Sequence, residues 1–359
     1  MCRPTPTAFG TWSSAPPAAT LRGVSQPALS EPFEIGGIRV PNRVLLAPLA
    51  GIGNWFVRLQ ARRYGAGMAV SEMVSSHAIH YRNEKTMDEL LRISPQERTV
   101  DGVSGPVSIQ LFGPDPDIMR SAAATVAERG ADLIDLNMGC PVPKVCKTGA
   151  GAALIRDPDT AVEVARAARE GSGLPVTVKL RSGARTGETD GFALAVRLVE
   201  EAGVSAIAFH PRSAQVQHKG SPDYALAARL VEELPVPVIL SGGLQDDERV
   251  LAGYAETGAA AVMLARGALG NPWLFSRVLG TREDEPSVDE VLAELEWVMD
   301  RAVEHLGAER AARYLRKFYP WYLDRVGAGR EQQEAFQTTA SIDEARSLVR
   351  ALQAIAVPA

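Results

Sequence analysis

The sequence predicts a parallel (β/α)8 TIM barrel followed by a small all-helical bundle. Eight short apolar runs alternate with helical stretches over roughly 240 residues. The runs are apolar throughout, as strands buried on both faces of a sheet must be. Polar residues follow nearly every run, and in a barrel these strand ends meet at one mouth. A doubly wound open sheet is the alternative; it is disfavoured by this clustering and because no G-x-G-x-x-G follows the first strand.

The elements follow in chain order. A small hairpin over residues 32–40 turns at Gly36-Gly37. Helices are predicted over 54–64 and 115–129, and Asp157-Pro158 starts another, with Asp at the N-cap and Pro at the first helical position. The eight predicted barrel strands are 43–47, 68–71, 107–111, 133–136, 176–180, 205–209, 236–240 and 260–264.

Composition limits the protein class. The 359 residues are 46% hydrophobic and 23% charged, with a net charge of −5, which predicts one large domain plus a small one and argues mildly against a nonspecific nucleic-acid binder. Cys2, Cys140 and Cys146 are too few for a disulfide framework and lack zinc-site spacing, so we expect a reducing cytoplasm and no metal. No apolar run reaches the roughly 20 residues of a membrane span, so no membrane association is expected.

Three segments are predicted from these patterns. Residues 1–30 are rich in Pro, Ala, Ser and Thr, without an apolar core of a signal peptide, and are predicted to be a disordered tail. The catalytic barrel is expected over residues 31–285 and the helical domain over residues 286–359.

A thiol stands just past the end of the fourth strand. Cys140 follows Asn137-Met138-Gly139 and precedes Pro141, so rigid backbone holds it at a cavity, as suits an acid or a nucleophile. A lone Cys is more often a small buried hydrophobe, so the assignment depends on its surroundings. Cys146 is a rival, but it lies deeper in the following loop, where it is less tightly held.

The other strand ends carry groups that suit a phosphorylated, electron-rich ring. Barrels often bind phosphate with the loops after strands seven and eight, here Ser241-Gly242-Gly243 and Ala265-Arg266-Gly267. Glycines let backbone N–H groups approach an anion, and a guanidinium can pair with it through two hydrogen bonds. Gln110, Lys179 and His210 end strands three, five and six. Taken singly, each could be an ordinary turn residue or a solvated residue. Together they more specifically indicate a site for a phosphorylated ring.

The C-terminal segment predicts four helices, over 288–305, 309–322, 331–338 and 342–355. The second carries basic residues among aromatic ones, which indicates either RNA binding or a solvated basic face over an aromatic core. These basic residues are Arg310, Arg313, Arg316 and Lys317.

Five motifs together resemble the tRNA-dihydrouridine synthases, most closely the bacterial B-type branch. They are Ala47-Pro-Leu-Ala-Gly51, Asn137-Met-Gly-Cys-Pro141, Lys179-Leu-Arg181, His210-Pro-Arg212 and Arg266-Gly-Ala-Leu-Gly-Asn-Pro-Trp273. The resemblance covers residue 31 to the C-terminus. It implies an FMN-dependent barrel whose helical domain grips tRNA. It also implies reduction of a uridine to 5,6-dihydrouridine, with NADPH (or NADH) recharging the flavin, in a protein we expect to be a monomer.

The resemblance also implies roles for single residues. Cys140 matches the proton donor to uracil C5, while the flavin delivers hydride to C6. Asn137 matches a uracil contact, and Lys179 would stabilise the negatively charged reduced ring. The flavin contacts would be Pro48, Leu49 and Ala50 along the ring, Gln110 and Lys179 at its polar edge, and His210, Ser241, Gly242, Gly243, Ala265 and Arg266 at the phosphate end. Further substrate contacts are predicted at Arg181, Arg212, Arg310, Arg313, Arg316 and Lys317.

The sequence departs from the family pattern at three places. The first strand reads PLAGIGN where the family usually has PMAG and then Asp, the His motif reads HPRS rather than HGRT, and loop seven reads SGG rather than NGD or NGG. None removes a charge or the thiol. Two other classes stay open: a flavin barrel acting on a free pyrimidine or enone, and a noncatalytic RNA-binding protein that keeps FMN only structurally.

Overall fold

Ten strands of three or more residues shape the fold. The computed structural model describes residues 26–356, and the first 25 residues of the predicted tail lie outside that range. The strands are β1 (Phe33–Ile35), β2 (Ile38–Val40), β3 (Val44–Leu46), β4 (Met68–Val70), β5 (Val107–Phe112), β6 (Leu133–Met138), β7 (Val176–Arg181), β8 (Ala206–His210), β9 (Val238–Ser241) and β10 (Ala261–Leu264). Two-residue strands lie at Val74–Ser75, Thr99–Val100 and Val103–Ser104.

Strands β3 to β10 form a closed parallel barrel in chain order. Each strand pairs with the next, and β3 pairs with both β4 and β10, which closes the ring. The predicted TIM barrel is therefore confirmed, and the open-sheet alternative is wrong. All eight predicted strands are present, with boundaries within about two residues.

The hairpin β1–β2 covers the end of the barrel opposite the mouth. Its side chains Phe33, Ile35 and Val40 pack with barrel-interior residues such as Leu133. Gly36, at φ +56°, is required at the turn because a Cβ there would lie 2.6 Å from Pro175 Cβ, where β7 begins.

The last five residues of the predicted tail, 26–30, lie within the described part of the chain and contact the barrel. Gln26 donates hydrogen bonds to the carbonyls of Tyr254 and Ala259, and Leu29 is buried. Residues 26–30 therefore pack on the barrel, which corrects the predicted boundary at residue 30.

Helices surround the barrel and extend it at the C-terminus. Short helical turns lie at Thr86–Leu90, Gly151–Arg156 and Arg266–Ala268. The helices around the barrel are α1 (Trp55–Arg63), α2 (Ser76–His80), α3 (Pro95–Arg98), α4 (Pro116–Glu128), α5 (Pro143–Cys146), α6 (Pro158–Ser172), α7 (Asp190–Ala202), α8 (Tyr224–Glu233), α9 (Asp247–Thr257) and α10 (Trp273–Val278). The C-terminal helices are α11 (Val288–Leu306), α12 (Ala308–Leu315), α13 (Tyr319–Arg325), α14 (Arg330–Thr338) and α15 (Ile342–Ala356).

The C-terminal bundle has one helix more than predicted. The expected single helix over 309–322 is split between α12 and α13 by the turn at 316–318. Pro320 explains the break, since it lacks an N–H and its ring clashes with the carbonyl four residues earlier, at Arg316. Phe318, Tyr319 and Tyr322 are buried by the resulting turn, so these aromatic residues are core.

A buried polar network fixes the bundle against the barrel helix α1. Gln60 Nε2 donates to Glu294 Oε1 and to the Tyr322 hydroxyl, both at 2.8 Å. Tyr64 donates to the other oxygen of Glu294 at 2.7 Å. The bundle is thereby placed beside the loop after β3, at the mouth of the barrel.

Candidate active site

A cavity of about 370 Å³ opens at the C-terminal ends of the barrel strands. Barrel topology alone brings these ends together, since all eight strands point the same way. The cavity collects every residue that was predicted to contact the cofactor, together with Asn137, Cys140 and Arg181. The cofactor set lining it comprises Pro48, Leu49, Ala50, Gln110, Lys179, His210, Ser241, Gly242, Gly243, Ala265 and Arg266.

Loops after β9 and β10 form a cradle of exposed backbone. Gly242 and Gly243 have φ of +95° and +86°, which favours glycine. A Cβ on Gly242 would collide with the His210 ring, and one on Gly243 would lie 2.5 Å from the Tyr224 hydroxyl. Arg266 is exposed at the rim and forms no side-chain hydrogen bond with residues 26–356. The cradle therefore suits a phosphate group.

Lys179 and His210 form the polar wall between the cradle and Cys140. Burial, followed by the nearby Arg181, lowers the pKa of Lys179 to about 8, so most of it is charged at pH 7. Burial and the charges of Lys179 and Arg181 lower the pKa of His210 far below its usual range, so its ring is neutral. Because a guanidinium only donates, His210 Nε2 accepts from Arg212 at 3.4 Å.

Cys140 is held at the cavity wall by its own backbone. Its N–H donates to Asn137 Oδ1 at 2.9 Å. Burial is the largest effect on the thiol and raises its pKa, so the sulfur keeps its proton at neutral pH. Cys146 is not among the lining residues; its sulfur turns back to the carbonyl of Cys140 at 3.3 Å. This geometry favours Cys140 over Cys146 as a proton donor.

Sequence comparison identifies the family of this chain. The family model described as "Dihydrouridine synthase (Dus)" matches residues 45–357. The chain belongs to the dihydrouridine synthase family. The family resemblance drawn from the five motifs is thereby confirmed.

Similar proteins extend over most of the chain. The tRNA-dihydrouridine synthase B of Pseudomonas aeruginosa is 34% identical, covering 88% of this chain and 94% of that protein. The one from Vibrio parahaemolyticus is 35% identical, with 89% and 98% covered. A protein named probable tRNA-dihydrouridine synthase 1 from Synechocystis is 34% identical, with 89% of both covered.

Solved structures of low sequence identity share the barrel. Morphinone reductase superimposes with a TM-score of 0.54 at 17% identity, covering 74% of this chain and 93% of that one. 2-Naphthoyl-CoA reductase gives a TM-score of 0.55 at 14% identity, with 73% and 53% covered. At these identities the similarity shows the fold alone.

The two predicted arginines near the mouth are engaged with backbone. Arg181 is buried and donates to the carbonyls of Gly139, Ser213 and Gln217 at 3.0, 3.1 and 2.7 Å. It thereby ties the loop of Cys140 to the loop after β8. Arg212 donates to the carbonyl of Gly220 and does not line the cavity. Their contacts with substrate stay predictions.

The four basic residues of the bundle point in different directions. Arg310 pairs with Glu89 of the barrel, and Arg316 donates to the carbonyl of Thr339 inside the bundle. Lys317 Nζ donates to the carbonyl of Gly51 at 3.2 Å, beside the cavity. Arg313 is 63% exposed and contacts only the exposed Glu309 within residues 26–356. Of the four, Lys317 is therefore exposed beside the mouth, and Arg313 is exposed and held only by an exposed carboxylate.

Sequence reasoning missed several lining or supporting residues. Met73, Gln217 and His218 line the cavity without belonging to any quoted motif. Asp135 lies beneath the cavity, and its Thr177 and Gln110 partners follow from strand register. Glu72 accepts a 2.8 Å hydrogen bond from the Gly51 N–H, steadying the loop that Lys317 also contacts. The family departure at Asn54 is explained by capping, because Asn54 caps α1 as Asp also would.

The described residues contain neither a metal-binding cluster nor a helix that could span a membrane. No group of three or more His, Cys, Asp or Glu side chains within residues 26–356 is arranged to hold a metal ion. Over the same range, none of the helices combines the length and apolarity that crossing a bilayer requires.

Proposed function

We propose that the cavity is the active site of a flavin-dependent tRNA-dihydrouridine synthase in which Cys140 is the proton donor. The observation that carries the assignment is that a single cavity is lined by Cys140, Lys179 and the glycine cradle. Family membership supplies the reaction class, reduction of a uridine of tRNA to 5,6-dihydrouridine.

The residues present fit FMN. The cradle of Gly242, Gly243 and Arg266 would hold the phosphate, and the Pro48–Ala50 segment, Gln110 and Lys179 would contact the ring. Ser241, His210 and Ala265 would complete the phosphate end. Bound FMN, reduced by NADPH or NADH, supplies the hydride that uracil C6 accepts.

The protein's own residues would supply the proton for uracil and the positive charges that stabilise the thiolate. Cys140 would hold a proton on Sγ and deliver it to C5, since burial keeps the thiol protonated. Lys179 and Arg181 are the cations acting on that sulfur, and they would stabilise the thiolate left behind. Asn137, whose amide binds the Cys140 backbone, is placed to contact the uracil beside it.

The bundle would hold tRNA over the mouth. Lys317, which contacts the loop after β3, and Arg313, one helical turn before it, would supply exposed cations of the bundle, and Arg310 and Arg316 would support the bundle through their present contacts. The protein would act as a monomer. The tRNA substrate and the free thiols of Cys140 and Cys146 support a cytoplasmic location.

Replacing Arg313 and Lys317 together by Gln is expected to weaken tRNA binding. Each phosphate contact contributes about 0.9 to the slope of log affinity against log salt, so the slope should fall by up to about two units. Filter binding of tRNA at several salt concentrations measures it. Arg39→Gln removes one positive charge at the hairpin opposite the mouth and should leave the slope unaltered. A slope unchanged in the double variant would show that this face does not bind phosphate.

The proposed function is tested by mapping dihydrouridine in tRNA by mass spectrometry. Cells that lack this protein should lose dihydrouridine at one or more positions, and expression of the wild-type chain should restore it. Free pyrimidines and enones should be poor electron acceptors for the purified protein. Unaltered tRNA in the deletion strain, with rapid turnover of a free enone, would instead assign the cavity to small-molecule reduction. Restoration by Cys140→Ala at the wild-type level would exclude the assigned role of the thiol.

A further inference from the structure

A chain of hydrogen bonds runs across three neighbouring barrel strands beneath the cavity. Thr177 Oγ1 donates to Asp135 Oδ1 at 2.5 Å, and Gln110 Nε2 donates to Asp135 Oδ2 at 2.6 Å. Asn137 Nδ2 then donates to Gln110 Oε1 at 2.9 Å. The Cys140 backbone N–H completes the chain by donating to Asn137 Oδ1 at 2.9 Å.

Strand register places these residues together. Asp135 on β6 lies directly beside Gln110 on β5 and Thr177 on β7. Asp135 and Gln110 are both essentially inaccessible to solvent, at 1% and 0% exposure, so water cannot replace their hydrogen bonds. Buried polar groups in such a network must be fully paired to be tolerated.

The two ends of the chain fix its direction. An amide side chain can turn over, exchanging its donor and acceptor, but an ionised carboxylate only accepts and a backbone N–H only donates. Burial raises the pKa of Asp135 to about 6, which still leaves it mainly ionised at neutral pH. With an acceptor at Asp135 and a donor at Cys140, the Gln110 and Asn137 amides have one consistent orientation.

We propose that Asp135 is a positioning residue that sets the orientation of the Gln110 and Asn137 amides, so that Asn137 Nδ2, which also lies 3.6 Å from the sulfur of Met73 on the cavity wall, faces the cavity as a donor. Gln110 and Asn137 line the cavity beside Lys179, which is paired in register with Asn137. The floor thus presents the Asn137 amide and the Lys179 ammonium as donors from two adjacent strands. Its ligands are ring carbonyl oxygens, the groups that FMN and uracil share, and this inference rests on the proposed function. Reversed amides would present oxygens and repel those carbonyls.

A double-mutant cycle of isosteric substitutions tests this role. In Asp135→Asn, the new amide can still accept from Gln110 if its NH2 turns to Thr177, whose hydroxyl can also accept. Thr177→Val alone leaves the carboxylate of Asp135 in place. Because both of its oxygens are acceptors, it accepts from Gln110 in either orientation. In the double variant each direction of the chain leaves a buried donor unpaired, either the new NH2 facing position 177 or the Cys140 N–H, so position 135 no longer fixes the direction. Asp135→Asn and the double variant carry the same charge, which separates orientation from electrostatics.

Two measurements are made on all four proteins. The first is single-turnover oxidation of prereduced enzyme by unmodified tRNA, per bound flavin; each single variant should stay within about threefold of wild type and the double should fall at least about tenfold. The second is FMN affinity of the flavin-free protein by fluorescence quenching, with about fivefold weakening confined to the double variant.

The outcomes separate the alternatives. An effect in the double variant equal to the product of the single effects, or Asp135→Asn as slow as the double, would overturn the proposal. Multiplicative effects would indicate that Asp135 and Thr177 have independent structural roles. An Asp135→Asn variant as slow as the double would indicate that the charge of Asp135 matters and not its control of amide orientation. If wild type itself fails to reduce tRNA, the proposed function fails, while the FMN-affinity cycle still decides the role of Asp135.

Discussion

Replacing Cys140 by Ala is expected to slow uridine reduction by about 10²- to 10⁴-fold, the range for loss of a general acid. The thiol lies on the cavity wall and keeps its proton at neutral pH because burial raises its pKa. Cys140→Ser should recover little, because a hydroxyl is a much weaker acid. The measurement is single-turnover oxidation of prereduced enzyme by unmodified tRNA. Flavin content, NADPH oxidation and tRNA binding should persist, because none of them uses the sulfur.

Cys146→Ala is the matched control for this prediction. Its sulfur faces the carbonyl of Cys140 and not the cavity, so most activity should remain. If the Cys146 variant loses reduction and the Cys140 variant keeps it, the roles of the thiols are exchanged. If neither matters, the proton comes from water or from another side chain.

Replacing Lys179 by Met is expected to slow reduction of bound flavin by NADPH about 10²-fold, as the loss of one preorganised electrostatic contact typically does. The ring becomes more negative on reduction, and Lys179 is the half-buried cation at its proposed edge. Stopped-flow absorbance measures the rate. Lys144→Met removes an exposed lysine of α5 that does not line the cavity, and it should leave the rate unaltered. Equal rates in wild type and Lys179→Met would remove Lys179 from the ring contacts.

The same residue gives a pH dependence whose sign is defined. Because burial lowers the pKa of Lys179 to about 8, its charge is present below that pH and is lost as the pH rises through it. FMN affinity of the flavin-free protein should therefore fall between about pH 7 and about pH 9. That fall should be absent in Lys179→Met; if it persists there, another group titrates.

The sequence by itself determined the barrel and most of the cavity wall. Continuous apolar runs define parallel strands, and parallel closure brings their ends together whatever the loops do. The positions of Cys140, Lys179 and Arg266 in the cavity follow from that topology, because each lies within two residues of the C-terminal end of a strand. The family motifs contain these same residues, which is why sequence similarity and geometry agree.

Only the tertiary structure decided what the individual side chains contact. Arg310 pairs with Glu89 and Lys317 contacts Gly51, partners that lie 221 and 266 positions away in the chain. Local sequence shows a basic run, but charge alone does not specify which cations meet the barrel and which meet solvent. Asp135 reads as one polar residue within an apolar strand. Its partners Gln110 and Thr177 come from the flanking strands, so the direction of the hydrogen-bond chain follows from barrel register and burial, which no local pattern encodes.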